Sequence, residues 1–218
     1  MIASYDFASI ATLLVTLIIS LTVHEAAHAL VGKLGGDLTA YHGGQVTLNP
    51  IPHMRREPFG MVILPVASVL LSQGSYCFGF AHAPYDPVWA HHHPRKAALM
   101  SAAGPMANVL LAAIAFAVLY AIGRPDSDTQ DAITRIAQVF LLLNVLLALF
   151  NFVPLPPLDG AGILQGLVPA TRGFYGAMAR IPNMGIIVLV ALFYLFPDYV
   201  FYPAMREVVG WLPYWKPF

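Results

Sequence analysis

The stretch "ASIATLLVTLIISLTVHEAAHALVG", residues 8–32, decides the fold class. It is apolar along almost its whole length, and at about 1.5 Å per residue a helix of this length crosses the ~30 Å hydrocarbon core of a bilayer. No basic n-region precedes it and no small-residue cleavage site follows, so residues 8–31 are expected to form a retained helix and not a signal peptide. Three ionisable groups, His24, Glu25 and His28, interrupt the apolar run. Ionisable side chains are costly in such a helix and mark functional positions there.

The rest of the chain agrees with a membrane setting. Of 218 residues, 58% are hydrophobic and 10% charged, against about 25% charged in soluble domains. Eleven basic and eleven acidic residues balance to zero net charge, and nothing in that balance points to nucleic acid. The single cysteine, Cys77, excludes an internal disulfide and a zinc site built from cysteines.

Further apolar segments are expected at 60–80, 97–123, 132–153 and roughly 184–202. The 60–80 segment is broken by Pro65, Gln73 and Gly74. Residues 33–59 differ from the rest, with Gly35-Gly36, Gly43-Gly44, Asn49-Pro50 and an alternating "QVTLN", a pattern of strands and turns. The expected fold is therefore an α-helical multi-pass membrane protein with about four to six membrane segments. A small β-element is expected between the first two. Lys33, Arg55 and Arg56 follow the first segment, and Arg95 and Lys96 precede the third. The positive-inside rule puts both regions in the cytoplasm, so 60–80 is expected to be re-entrant or broken.

"HEAAH" places His24 and His28 four residues apart, one above the other on a helix face. Two imidazoles at that spacing can share one Zn²⁺, and Glu25, displaced around the helix, is left free for a proton-transfer role. The competing structural reading is two unrelated core histidines. It has to explain two histidines and a glutamate at a defined spacing, in a chain with eight histidines. A catalytic zinc takes three protein ligands. Asp159 in "NFVPLPPLDGAG", the one carboxylate between Asp131 and Asp198, is a candidate for the third. An N-cap role for Asp159 is equally open on local grounds.

"HEAAH", "SAAGPMAN" (101–108) and "NFVPLPPLDG" (151–160) together resemble the three signatures of the site-2 protease family, the intramembrane zinc metalloproteases. The resemblance runs from the first segment to Gly160. It implies one Zn²⁺ per chain, ligated by His24, His28 and Asp159, with Glu25 as the catalytic general base. It implies that Asn151 contacts substrate backbone, that Asn108 lies near the metal as a substrate or oxyanion donor, and that Gly104 and Pro105 line the site. It also implies that residues 35–50 are a membrane-associated β-element whose edge pairs with substrate. The PDZ-type and CBS-type domains of other branches have no counterpart, so residues 1–218 are expected to be a single metalloprotease domain. Its catalytic core would be about 8–168 and its C-terminal membrane segment about 184–202.

The expected function is a zinc-dependent endopeptidase of the cell membrane that cleaves transmembrane segments of membrane proteins, as in regulated intramembrane proteolysis. Its active site would lie toward the cytoplasm and its partners would be the lipid bilayer and a substrate with an unwound transmembrane segment. The alternative is a non-catalytic membrane zinc-binding or transport protein. "HHH" at 91–93 reads as a headgroup-facing loop. His42, His53 and His82 are loop histidines and not expected ligands. Asn144 shares a helix face with Asn151 and suits either a supporting contact behind the site or a plain interhelical hydrogen bond, the second being preferred. Trp211, Tyr214 and Trp215 suit an interfacial anchor.

Overall fold

The computed structural model describes residues 7–73, 77–212 and 214–215. The first span is α1 (Phe7–Gly35), followed by two short helices, α2 (Thr39–His42) and α3 (Pro50–Arg56). A wide turn at Phe59–Ile63 leads into α4 (Leu64–Leu71), and α5 (Pro87–His92) precedes the long α6 (Pro94–Ile122). Then come α7 (Asp128–Phe152), α8 (Asp159–Leu167), α9 (Arg172–Met178), α10 (Met184–Phe196) and α11 (Tyr202–Gly210). A wide turn at Pro197–Phe201 joins α10 to α11, so that Met184–Gly210 is one span.

Among the described residues, four helices are long and apolar enough to cross a membrane: Phe7–Gly35, Pro94–Ile122, Asp128–Phe152 and Met184–Gly210. The apolar helix Phe59–Leu71 is shorter. At about 1.5 Å per residue its 13 residues reach only ~20 Å, too little to cross. The chain then turns back, and the Phe80 N–H donates to the Gly60 carbonyl. The sequence-based reading of 60–80 as a broken element agrees with this geometry, while Gly74 lies outside the described residues.

The β-element is a correction, because the described residues contain no strand. Asn49 caps α3 by accepting from the Ile51 N–H, and Pro50 occupies the first helical position. The Asn-Pro pair that suggested a turn is thus a helix start. Thr47 Oγ1 accepts from the Asn49 N–H, and the ring Nε2 of buried His53 lies 3.0 Å from the Thr47 carbonyl. Local side-chain bonds satisfy the backbone here and displace a ladder.

The core forms where α6 packs against α1, α7 and α8. Ala112 and Ala115 of α6 meet Ala137 and Leu141 of α7, and small residues let the two helices approach closely. Leu17 and Leu21 of α1 pack with Met61 and Leu143, seating the short broken helix against the bundle. Phe196, Phe201, Met205 and Val209 fix the last span against α7. Its other face, including Ile186, Val190, Phe193 and Tyr194, is exposed and apolar, as a lipid-facing surface is.

Candidate metal centre

Helix α1 carries His24, Glu25 and His28, all buried. Their positions on one turn follow from the helix period, and the rings of His24 and His28 meet edge to face at 4.6 Å. The loop after α7 brings the third group. Asp159 is the first residue of α8, and its side chain makes no capping bond to that helix, so the N-cap alternative does not hold. Gly160 lies against the carbonyls of Phe152 and Val153, where a Cβ would have no room, and this close turn lays α8 against α6 with the Asp159 side chain reaching α1. The Tyr175 hydroxyl donates to the Pro154 carbonyl at 2.8 Å and anchors the proline-rich loop from outside.

The three groups converge. Nε2 of His24 and Nε2 of His28 are 3.0 Å apart. Oδ2 of Asp159 lies 3.1 Å from the first and 3.3 Å from the second. A tetrahedral zinc with bonds of about 2.05 Å sets its ligand atoms roughly 3.3 Å apart, so this triangle fits zinc. Two bare imidazole lone pairs held 3.0 Å apart repel, so the contact needs a shared metal or a proton between them.

The rings are held from behind. The His28 Nδ1–H donates to the Met100 carbonyl at 2.7 Å, and the His24 Nδ1–H donates to Asn108 Oδ1 at 2.6 Å. Each leaves an Nε2 lone pair facing the triangle, as a metal-ligating histidine requires. Gly104 of α6 passes directly beside both Nε2 atoms, where any Cβ would collide with them. Pro105 follows it and is buried in the same helix.

Glu25 is 2% exposed, and its Oε2 has no hydrogen-bond partner. Its carboxylate lies within 4.8 Å of the His24 and His28 nitrogens. A buried, unpaired carboxylate oxygen is expensive, and such groups persist where chemistry uses them. Asp159 is less enclosed, with 22% of its side chain exposed, which gives water an approach to the triangle.

The other expected residues fall in distinct places. Asn108 is fully buried, and its Nδ2 points at Asn144 and not at open space. Asn151 is half-buried and its Nδ2 donates to the Leu147 carbonyl of its own helix. His42 and His53 stay out of the triangle, and His82 pairs with Glu57 at 2.9 Å. His91 and His92 end α5, while His93 stacks on Trp89. Sequence reasoning missed Ser20, one turn before His24 on the same helix face, and the i, i+4 spacing was the available signal. It also missed the Met100 carbonyl and Tyr175, which no residue pattern announces.

The profile of peptidase family M50 matches residues 12–126 and 120–195. The chain belongs to peptidase family M50, the site-2 protease family. It is a membrane zinc metallopeptidase, and the transporter alternative falls away. Among its relatives is the Bacillus subtilis (strain 168) protein named "Putative zinc metalloprotease YwhC", 36% identical over 93% of this chain and 89% of the relative. Proteins of the same description named Rip2 are 30% identical in Mycolicibacterium smegmatis, over 91% of this chain and 70% of the relative. Rip2 of Mycobacterium tuberculosis (strain H37Rv) is 31% identical over 81% of this chain and 64% of the relative. No solved structure gives a significant match.

Proposed function

We propose that this M50 peptidase cleaves transmembrane segments of membrane proteins at the triangle of His24, His28 and Asp159, with Glu25 as general acid and base. The observation that carries the reading is the convergence of three ligand-type atoms beside an unpaired buried carboxylate. Zinc held there supplies Lewis acidity, which acidifies a water and polarises a carbonyl. Glu25 Oε2 accepts the proton of the attacking water and returns it to the leaving amine. Its unpaired state leaves the lone pair available for that transfer.

A peptide carbonyl inside a helix is already hydrogen-bonded, so the scissile stretch must unwind before it reaches the site. Asn151, on the last turn of α7 before the proline-rich loop, is the residue we assign to substrate backbone. Asn108 takes a different task from the oxyanion role expected of it, since its amide is committed to His24 and Asn144. Gly104 and Pro105 form the wall facing the histidines.

The site belongs near the cytoplasmic face. Lys33 at the end of α1 and Arg95 and Lys96 at the start of α6 cluster at the same end of the bundle as the histidines, and the positive-inside rule favours the cytoplasm for them. Residues 1–218 act in this reading as one catalytic unit, with a core at about 8–168 and a last span beyond it.

The test is capture with Glu25→Gln in membranes. The variant should hold zinc at wild-type stoichiometry and retain uncleaved membrane proteins that the wild type processes. Normal cleavage by Glu25→Gln would overturn the assignment of the base.

A further inference from the structure

Behind the metal centre lies a buried polar chain that runs across three helices. The His24 Nδ1–H donates to Asn108 Oδ1 (2.6 Å) and Asn108 Nδ2 donates to Asn144 Oδ1 (2.8 Å). Asn144 Nδ2 donates to Ser20 Oγ and to the Phe140 carbonyl, both at 2.9 Å. Ser20, Asn108 and Asn144 are each 0% exposed, so water cannot substitute for a missing partner.

The direction of this chain is forced from its far end. The Phe140 carbonyl can only accept, so Asn144 must turn its NH₂ toward it. Asn144 then presents Oδ1 to Asn108, which must answer with its own NH₂. The Ser20 carbonyl, 3.5 Å from Asn108 Nδ2, favours the same orientation. Asn108 is left with Oδ1 facing His24, so the ring must carry its proton on Nδ1. Only that tautomer leaves Nε2 bare toward His28 and Asp159.

We propose that Asn144 is a positioning residue for catalysis, which fixes the tautomer of His24 through Asn108 from a backbone carbonyl of α7 and so keeps Nε2 ready for the metal. The inference rests on the reading of His24 as a zinc ligand. A flipped Asn108 would offer an N–H to Nδ1, move the ring proton to Nε2, and block ligation. His28 is outside this chain, because the Met100 carbonyl fixes its tautomer directly.

The experiment uses ¹⁵N-histidine-labelled, metal-free protein in detergent, with zinc affinity measured on the same preparations. Wild type should show Nδ1 of both His24 and His28 protonated, as their acceptors Asn108 Oδ1 and the Met100 carbonyl require. Asn144→Leu should give His24 a mixed or Nε2–H signature, leave His28 unchanged, and weaken zinc by about 10- to 100-fold. Asn144→Asp, which is neutral at so buried a site and keeps one donor and one acceptor, should restore the His24 tautomer and most of the zinc affinity. Asn144→Ala carries the same comparison should the leucine variant not fold. An unchanged His24 tautomer in the folded leucine or alanine variant overturns the proposal. So does an equal change at His28, which marks general loosening, and so does absence of rescue by Asn144→Asp. Failure of wild type to bind zinc sinks the ligand reading of His24, and the metal-free tautomer comparison still decides the relay.

Discussion

Nε2 of His24 lies 3.1 Å from Oδ2 of Asp159, which joins the C-terminal half of the first span to the first residue of the short helix after α7. This contact, with the matching one from His28, makes a three-atom cradle from two distant parts of the chain. Removing any one corner should therefore cost the metal, while removing Glu25 should not. His24→Ala and Asp159→Ala are expected to lose zinc measured by elemental analysis. Glu25→Gln is expected to keep zinc and lose cleavage by about 10²–10⁴-fold, the range for a general acid–base group.

Gly104 leaves no room for a side chain beside the two Nε2 atoms. Gly104→Ala should push the imidazoles apart or displace α6, at a cost of about 1–3 kcal/mol. Zinc affinity and cleavage should fall together. Ala103→Ser, at the neighbouring half-buried position, is the comparison and should leave zinc affinity near wild type.

Chelation should abolish activity and lower the melting temperature in detergent, because a metal that binds only the folded cradle adds its binding free energy to stability. Zinc at about 1,000 times its dissociation constant adds about 4 kcal/mol to stability. Stepwise zinc addition should raise the melting temperature of wild type and leave that of Asp159→Ala unmoved.

Asp37 ties the end of α1 to the start of α5. It accepts from the Thr39 N–H and hydroxyl and from the Asp86 N–H. Burial pushes its pKa up, but these hydrogen bonds outweigh burial and hold it below the ordinary carboxylate value. A lowered folded-state pKa contributes stability that is fully present above the unfolded value of about 3.9 and is lost as pH falls through the folded value. Asp37→Asn should cost about 1–3 kcal/mol at neutral pH. Melting curves of wild type and variant should converge only as the pH drops below about 4.

If Lys33, Arg56, Arg95 and Lys96 lie on one side, cysteines at positions 56 and 95 in a Cys77→Ser background should label from the cytoplasm, and one at 126 only from outside. All three parent residues are exposed. Labelling of 56 and 95 from opposite sides would make the Phe59–Leu71 segment a crossing and overturn its re-entrant reading.

The class of the protein and half of the candidate centre were legible in residue order. Apolar runs long enough to cross a bilayer set the helices, and the i, i+4 spacing put His24 and His28 on one face before any packing was known. Both follow from the local geometry of the helix. The β-element was misread for a local reason as well. "QVTLN" alternates like a strand, yet Asn49 is used as a helix cap and buried His53 packs against the Thr47 carbonyl. Alternation alone does not show whether a partner strand exists.

Where Asp159, Gly104, Asn108 and Asn144 lie relative to the histidines came from packing alone. As a sequence, Asp159 before a short helix is equally a cap, and its approach to His24 depends on the turn at Gly160. Asn108 could face substrate or the metal centre, and packing against Asn144 and Ser20 turns it to His24. Contacts within a turn can be read from residue order, because helix geometry fixes them. Contacts between α1, α6 and α7 cannot, because they depend on which faces of three independent helices pack together.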